Sequence, residues 1–210
     1  MMILHVGASG LVGRLVLERL LAAPEVVSVV APSRRALAVQ HPKLRNPLVD
    51  FDALDPDADW WAADAVICTL GTTLAEAGSK EAFRRVDFDY PLLVARLARW
   101  KDAGAYALNS ALGANARSLF FYNRVKGELE TALAAVDYPS LTFVRPGLID
   151  GVRIPPRPGE GRMLALSRLL RPLLPKQWRP SRAEKIADAL VAAAVQARPG
   201  RRVIAARQLA

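Results

Sequence analysis

Short apolar runs alternate along the chain with longer stretches in which apolar residues return every three or four positions. "MILHV" (2–6) is a continuous run and predicts a buried strand. Apolar positions at helical spacing predict a helix from Leu11 to Ala22. The β-branched content of "VVSVVA" (26–31) predicts a second strand, and "PLVDF" (47–51) a short third. "ADAVICTLG" (63–71), bounded by turn residues, reads as a fourth. A long helical pattern from about Lys80 to Lys101 follows, then a fifth strand in "AYALNSA" (105–111) and a helix from about Leu119 to Ala135. "LTFVRPG" (141–147) is a sixth strand, stopped by Pro146 and Gly147. "SRAE" (181–184) is a Ser-x-x-Glu capping box that opens a C-terminal helix to about Ala197, and "RRVIAA" offers one last strand.

Strands alternating with helices predict an α/β fold: a doubly wound parallel sheet covered on both faces. No internal repeat or low-complexity tract divides the chain, so residues 1–210 read as a single domain with a short C-terminal extension. The Pro- and Gly-dense "GVRIPPRPGEGR" (151–162) predicts a loop over the carboxyl edge of the sheet, where α/β proteins bind ligands. "MLALSRLLRPLLP" (163–175) predicts a helix near that crevice, so 151–180 forms a substrate-side loop and helix.

Composition narrows the function. The 210 residues suit one domain with a full core, and 52% hydrophobic with 23% charged content reads as globular rather than disordered. The single cysteine, Cys68, excludes an intramolecular disulfide framework. His5 and His41 have no companions for a metal, so no metal site is expected. The N-terminus lacks the basic region of a signal peptide, and no apolar run is long enough to span a bilayer. These features predict a cytoplasmic protein without a membrane partner. The net charge of +9 invites an anionic partner, but the arginines are scattered and no nucleic-acid motif accompanies them. No nucleic-acid partner is expected. The arginine-rich C-terminal third weakly favours an anionic small-molecule substrate.

Two patterns carry chemistry. After the first strand comes "GASGLVG", with Gly7, Gly10 and Gly13 in G-x-x-G-x-x-G spacing and Ser9, Leu11 and Val12 between them. Such a turn lets backbone approach a pyrophosphate, and the helix N-terminus supplies free N–H groups and partial positive charge. About twenty residues on, an NAD-binding unit carries an acid for the adenosine ribose. Here Ser33 stands there, followed by Arg34 and Arg35. Two guanidiniums suit a 2′-phosphate, so the sequence favours NADP(H). Asp50 and Phe51 end the third predicted strand and could meet the adenine, although Asp50 also fits a turn. Leu70, Gly71 and Thr72 follow the fourth and would pass the ribose and pyrophosphate.

The second pattern is "YNRVK" (122–126). Tyr122 and Lys126 are four residues apart, on one face of a helix. A nearby ammonium favours the phenolate and lowers the tyrosine pKa toward neutrality. Such a tyrosine can deliver or remove a proton at a substrate oxygen, and the lysine can hold ribose hydroxyls. Ser110, at the end of the fifth strand, could polarise a substrate carbonyl or simply cap a turn, and Asn109 is an alternative polar group beside it.

The ordered set "GASGLVGR", "SRR", "VDF", "CTLGTT", "FRRVDFDY", "LNSALGA", "YNRVKGELE" and "FVRPGLIDG" resembles the short-chain dehydrogenase/reductase superfamily. The likeness is to its atypical branch, around the Tat-interacting protein 2-like oxidoreductases, and runs from about residue 3 to 150. "RPGEG" (157–161) is more loosely similar. The resemblance implies a Rossmann-type fold with NADP(H) along the carboxyl edge. It implies Tyr122 as general acid/base, Lys126 as its pKa tuner and ribose ligand, and Ser110 as the carbonyl-orienting group. It places Pro146, Gly147 and Leu148 near the nicotinamide, and it allows a homodimer. Two functions follow as expectations: an NADP(H)-dependent oxidoreductase acting on a small carbonyl or alcohol, or an NADP(H)-binding regulator without efficient turnover. A sugar-nucleotide epimerase or dehydratase shares the machinery but normally has a larger C-terminal region and a bound NAD.

Overall fold

The computed structural model describes residues 1–150 and 180–210. The loop and helix expected across 151–180 therefore lie outside the described residues, apart from Pro180.

Seven strands form one parallel sheet. They are β1 (Met2–Val6), β2 (Ser28–Val30), β3 (Leu44–Arg45), β4 (Ala65–Cys68), β5 (Ala105–Asn109), β6 (Ser140–Arg145) and β9 (Gly200–Ala205). Their order is β3-β2-β1-β4-β5-β6-β9. The order reverses between β1 and β4, which opens a crevice at the carboxyl ends of those two strands. Two further strands, β7 (Ile149–Asp150) and β8 (Ser181–Arg182), pair in parallel apart from the main sheet.

Helices cover both faces. The first layer holds α1 (Leu11–Ala22) and α6 (Ala183–Gln196), whose Val16, Leu20, Ile186 and Leu190 are wholly buried. The second holds α4 (Tyr90–Trp100) and α5 (Phe121–Ala134), with Val94, Leu129 and Leu133 against the sheet. Strand alternation divides β1 between them: Ile3 belongs to the first core, Leu4 and Val6 to the second.

Three elements differ from the sequence pattern. The third strand is β3 rather than 47–51. Pro47 has no N–H to donate, so beyond Arg45 the pairing with β2 continues only as a bridge between Ser33 and Leu48. The Ser-x-x-Glu capping box is not formed. Arg182 is the N-cap of α6, and the Ser181 hydroxyl instead accepts from the Gly147 N–H at 3.0 Å. The long helix after Lys80 is interrupted. It runs as α3 (Lys80–Arg84), a π turn over Arg85–Asp89, and then α4. Pro91 cannot donate to the carbonyl four residues back, and the widened turn accommodates that loss. A short α2 (Leu74–Ala77), capped by the Thr73 hydroxyl, precedes α3.

His5 is completely buried in β1. The Thr69 hydroxyl donates to the Val6 carbonyl at 3.1 Å, so it accepts from His5 Nε2, 3.2 Å away. The ring's Nδ1 has no partner. Burial pushes the His5 pKa down to about 3, from an ordinary 6.5. The unfolded chain therefore takes up this proton at higher pH than the folded one. Stability from His5 is complete above pH 6.5 and is lost as pH falls toward 3. Denaturant titrations between pH 7 and pH 4 should show wild-type stability dropping by up to about 1.4 kcal/mol per pH unit from this residue. A His5→Gln variant should show a shallower slope.

Candidate active site

The glycine turn between β1 and α1 divides its work among three residues. Gly7 has φ +93°, and a Cβ there would lie 2.6 Å from the Thr69 carbonyl carbon. A Cβ on Gly13 would lie 2.0 Å from the Gly7 carbonyl oxygen. Both are demanded by the protein's own packing. Gly10 is different: its φ is −74°, and a Cβ would meet only the Gly7 oxygen at 3.4 Å, an ordinary contact. Gly10 is the N-cap of α1 and offers no side-chain cap. Its bare backbone, followed by the first turn of α1, lines the crevice. This is the cradle that an anionic pyrophosphate fits.

The crevice has a volume of about 490 Å³. Gly10, Leu11, Val12 and Gly13 form one wall, and Leu70, Gly71 and Thr72, beyond β4, form another. Ser110, Tyr122 and Lys126 also line it, as do Pro146, Gly147 and Leu148. The predicted chemical residues and most of the predicted nucleotide residues thus meet in one place.

The remaining predicted residues do not line it. Gly7 and Ser9 belong to the turn itself. Ser33 is buried, its hydroxyl donating to the Arg35 carbonyl at 2.6 Å and accepting from Asn46 Nδ2 at 2.8 Å. That shapes the turn which leaves Arg34 and Arg35 exposed. Asp50 is exposed and accepts the Asp52 N–H at 2.9 Å, which is the turn role. Phe51 is not available to flank an adenine ring. It is only 5% exposed and packs on Tyr90, with ring centroids 5.4 Å apart.

Tyr122 sits in the first turn of α5, 43% exposed, with its ring edge-to-face on buried Phe83 at 5.8 Å. Lys126, one turn on, is buried. Its ammonium pairs with Asp87 of the π turn at 2.8 Å, and both side chains are almost inaccessible. The other Asp87 oxygen accepts the Thr72 N–H at 2.8 Å. A Cβ on Gly71 would come within 3.3 Å of Asp87, so the loop after β4 lies directly on the pair. Burial alone would lower the Lys126 pKa. The Asp87 charge, the nearby Tyr122 and the Asp87 hydrogen bond together outweigh that, and the pKa ends above its ordinary value. Lys126 is a cation at any physiological pH, and a paired one.

Ser110 is also engaged. Its hydroxyl lies 2.5 Å from Glu130, whose carboxylate is gripped by the guanidinium of Arg145 through both nitrogens Nε and Nη2. A carboxylate only accepts, so the Ser110 proton points to Glu130 rather than to the crevice. The expectation that Ser110 donates to a substrate carbonyl is met only if it leaves this bond, at about 1.5–3 kcal/mol. Asn109 also lines the crevice, and its buried Oδ1 has no hydrogen-bond partner.

Asp87, Glu130 and Arg145 escaped the sequence reading. Glu130 had a signal: Tyr122, Lys126 and Glu130 repeat every four residues and share one helix face. Arg145 stood in the quoted "FVRPG" and Asp87 in "FRRVDFDY", but nothing in the spacing showed what either would touch.

No protein-family model matches the chain. Among curated proteins, Protein HTATIP2 of Rattus norvegicus is 35% identical over 176 residues, 82% of this chain and 71% of that protein. Protein fmp52, mitochondrial, of Emericella nidulans is 34% identical over 164 residues, covering 74% and 70%. The chain belongs to the HTATIP2/FMP52 family. It is thereby a member of the atypical, NAD(P)-binding branch of the short-chain dehydrogenases/reductases. Solved structures agree on the fold. A short-chain dehydrogenase/reductase from Brucella melitensis matches with TM-score 0.73 at 16% identity, covering 97% of this chain and 94% of that one. MoeE5 in complex with UDP-glucose and NAD matches with TM-score 0.74 at 17% identity, covering 97% and 75%. Several family members are named mitochondrial, so the cytoplasmic expectation finds no support among them. Among the described residues no helix is long and apolar enough to cross a membrane.

The glycine geometry gives a direct check. Gly7→Ala and Gly13→Ala should each lower stability by about 1–3 kcal/mol, because backbone must move to admit the methyl. Gly10→Ala should change it by less than about 1 kcal/mol. Urea denaturation of the three variants measures the contrast.

Proposed function

We propose that this protein is an NADP(H)-dependent oxidoreductase acting on a small carbonyl or alcohol substrate, with Tyr122 as general acid/base. One observation carries the reading: Tyr122, Lys126 and Ser110 line the same crevice as Gly10 and the first turn of α1.

The residues fit a dinucleotide. The first-turn N–H groups of α1 would take the pyrophosphate, and the missing Cβ of Gly10 leaves room for it. Lys126 would hold the nicotinamide ribose hydroxyls. Pro146, Gly147 and Leu148 form the wall beside the ring. Arg34 and Arg35, exposed after β2 where an NAD-binding unit carries an acid, would take the 2′-phosphate and favour NADP(H) over NAD(H). When bound, the dinucleotide supplies or accepts the hydride. The protein's own part is to hold the substrate oxygen at Tyr122 and to move a proton between the two. MoeE5, which shares the fold, was solved with NAD, and this supports a dinucleotide in the same crevice.

A second reading, a dinucleotide-dependent regulator, is favoured by a separate observation. The Ser110 proton and the Lys126 charge are both committed to buried partners, Glu130 and Asp87. A site so engaged can bind a dinucleotide without turning over efficiently.

Fluorescence titration should show NADPH binding at least about tenfold more tightly than NADH, a difference near 1.4 kcal/mol. An Arg34→Ala/Arg35→Ala protein should lose the preference. Equal affinities in the wild type would refute the NADP assignment. Over a carbonyl panel, Tyr122→Phe should lower NADPH consumption by about 10²–10⁴-fold. Full turnover in that variant would overturn the catalytic reading. Dinucleotide binding without turnover, joined to cofactor-dependent capture of a protein partner, would establish the regulator instead.

A further inference from the structure

A lysine one turn from a tyrosine is expected to pull the phenol's proton off. Here that lysine does not act as a lone charge. Asp87 touches the Lys126 ammonium at 2.8 Å, and both side chains are at most 3% exposed at the floor of the crevice. Solvent screens so buried a pair only weakly, so the carboxylate cancels much of the cation's field at its surroundings. The other groups around Lys126 add little charge. Cys68 faces it from β4, and burial raises the thiol pKa, so it stays neutral. Glu130, one turn further along α5, is itself matched by Arg145. Among the described residues Tyr122 is a further titratable group beside Lys126, and the buried Phe83 ring packs edge-to-face on it.

We propose that Asp87 is a positioning residue that neutralises Lys126 as seen by Tyr122, so that Tyr122 keeps its proton at neutral pH and serves as the donor to a carbonyl oxygen. The inference rests on the oxidoreductase reading and deepens it. It assigns the substrate to the carbonyl class and the site to reduction. The neighbouring hydroxyl fits this assignment: the Ser110 proton is held by Glu130, which leaves Tyr122 as the donor. In the step the phenol O–H bond breaks and a new O–H bond forms on the substrate oxygen. The electron pair that reduces the carbonyl carbon comes from the reduced dinucleotide. The phenolate left behind is reprotonated from solvent, to which Tyr122 is 43% exposed. Asp87 also fixes where the ammonium sits, because its second oxygen is tied to the Thr72 N–H at 2.8 Å.

Tyrosinate absorbance, read as the difference between each protein and its Tyr122→Phe counterpart, follows the phenol without cofactor or turnover. In Asp87→Asn, Tyr122 should lose its proton about one to three pH units lower than in the wild type, because Lys126 then acts alone. In Lys126→Met it should lose it at higher pH. The double variant Asp87→Asn/Lys126→Met removes both charges and should titrate close to the wild type. An Asp87→Asn protein that titrates like the wild type would overturn the proposal. So would a double variant that titrates as high as Lys126→Met. If Asp87→Asn does not fold with its buried cation unpaired, the double variant decides alone. Absence of NADPH-dependent turnover would count against the oxidoreductase reading and leave the titration result standing.

Discussion

Lys126 and Asp87 meet at 2.8 Å where both side chains are at most 3% exposed, and three elements depend on that contact. It ties α5 to the π turn between α3 and α4. Through Asp87 and the Thr72 N–H it also ties both to the loop after β4. Desolvating two charges is costly, and an apolar pair of the same volume often packs as stably. Removing one partner alone strands a buried charge, at about 3–5 kcal/mol. The pair therefore makes little sense as a source of stability. It makes sense as a fixed charge arrangement at the floor of a crevice.

The π turn belongs to the same argument. An uninterrupted α-helix from Lys80 to Trp100 would rotate each side chain steadily by its 3.6-residue period. The extra residue in the turn over Arg85–Asp89 resets that rotation. Asp87 then faces inward with 0% exposure, while Arg85 and Asp89, two positions to either side, are exposed. A second buried pair, Glu130 with Arg145, stands one turn further along α5 and takes the Ser110 hydroxyl. Tyr122, Lys126 and Glu130 thus form one stripe on α5. Each of the two charged members is answered from a different element.

Much of this was readable in the sequence, because periodicity records burial. β1 and α1 keep the bounds that the apolar pattern gave them, and the parallel sheet covered on both faces follows from strand–helix alternation. The crevice was readable too, since a glycine turn and a Tyr-x-x-x-Lys pair each carry their geometry in local spacing. The failures share a different cause. The capping box at Ser181 failed because its hydroxyl found a tertiary partner, the Gly147 N–H, 34 positions away. Phe51 was placed at the adenine by its position after a strand, but its ring was claimed by Tyr90. Asp87 and Lys126 lie 39 residues apart, and nothing along the chain reports which carboxylate a buried ammonium will choose.

The same logic bears on what the Tyr-x-x-x-Lys spacing means in this chain. The spacing fixes only that the phenol and the ammonium share a helix face. In the proposed arrangement, the charge that the phenol experiences is set by a third residue from elsewhere in the sequence, Asp87. Two proteins with identical spacing can then differ in whether the tyrosine starts as acid or base, depending on whether the lysine is matched. Here the matching carboxylate comes from a turn that accommodates the missing N–H of Pro91, four residues downstream of Asp87. The backbone irregularity and the buried ion pair are in that sense one constraint, and the proton proposed on Tyr122 would carry it from the path of a helix to the chemistry at its neighbour.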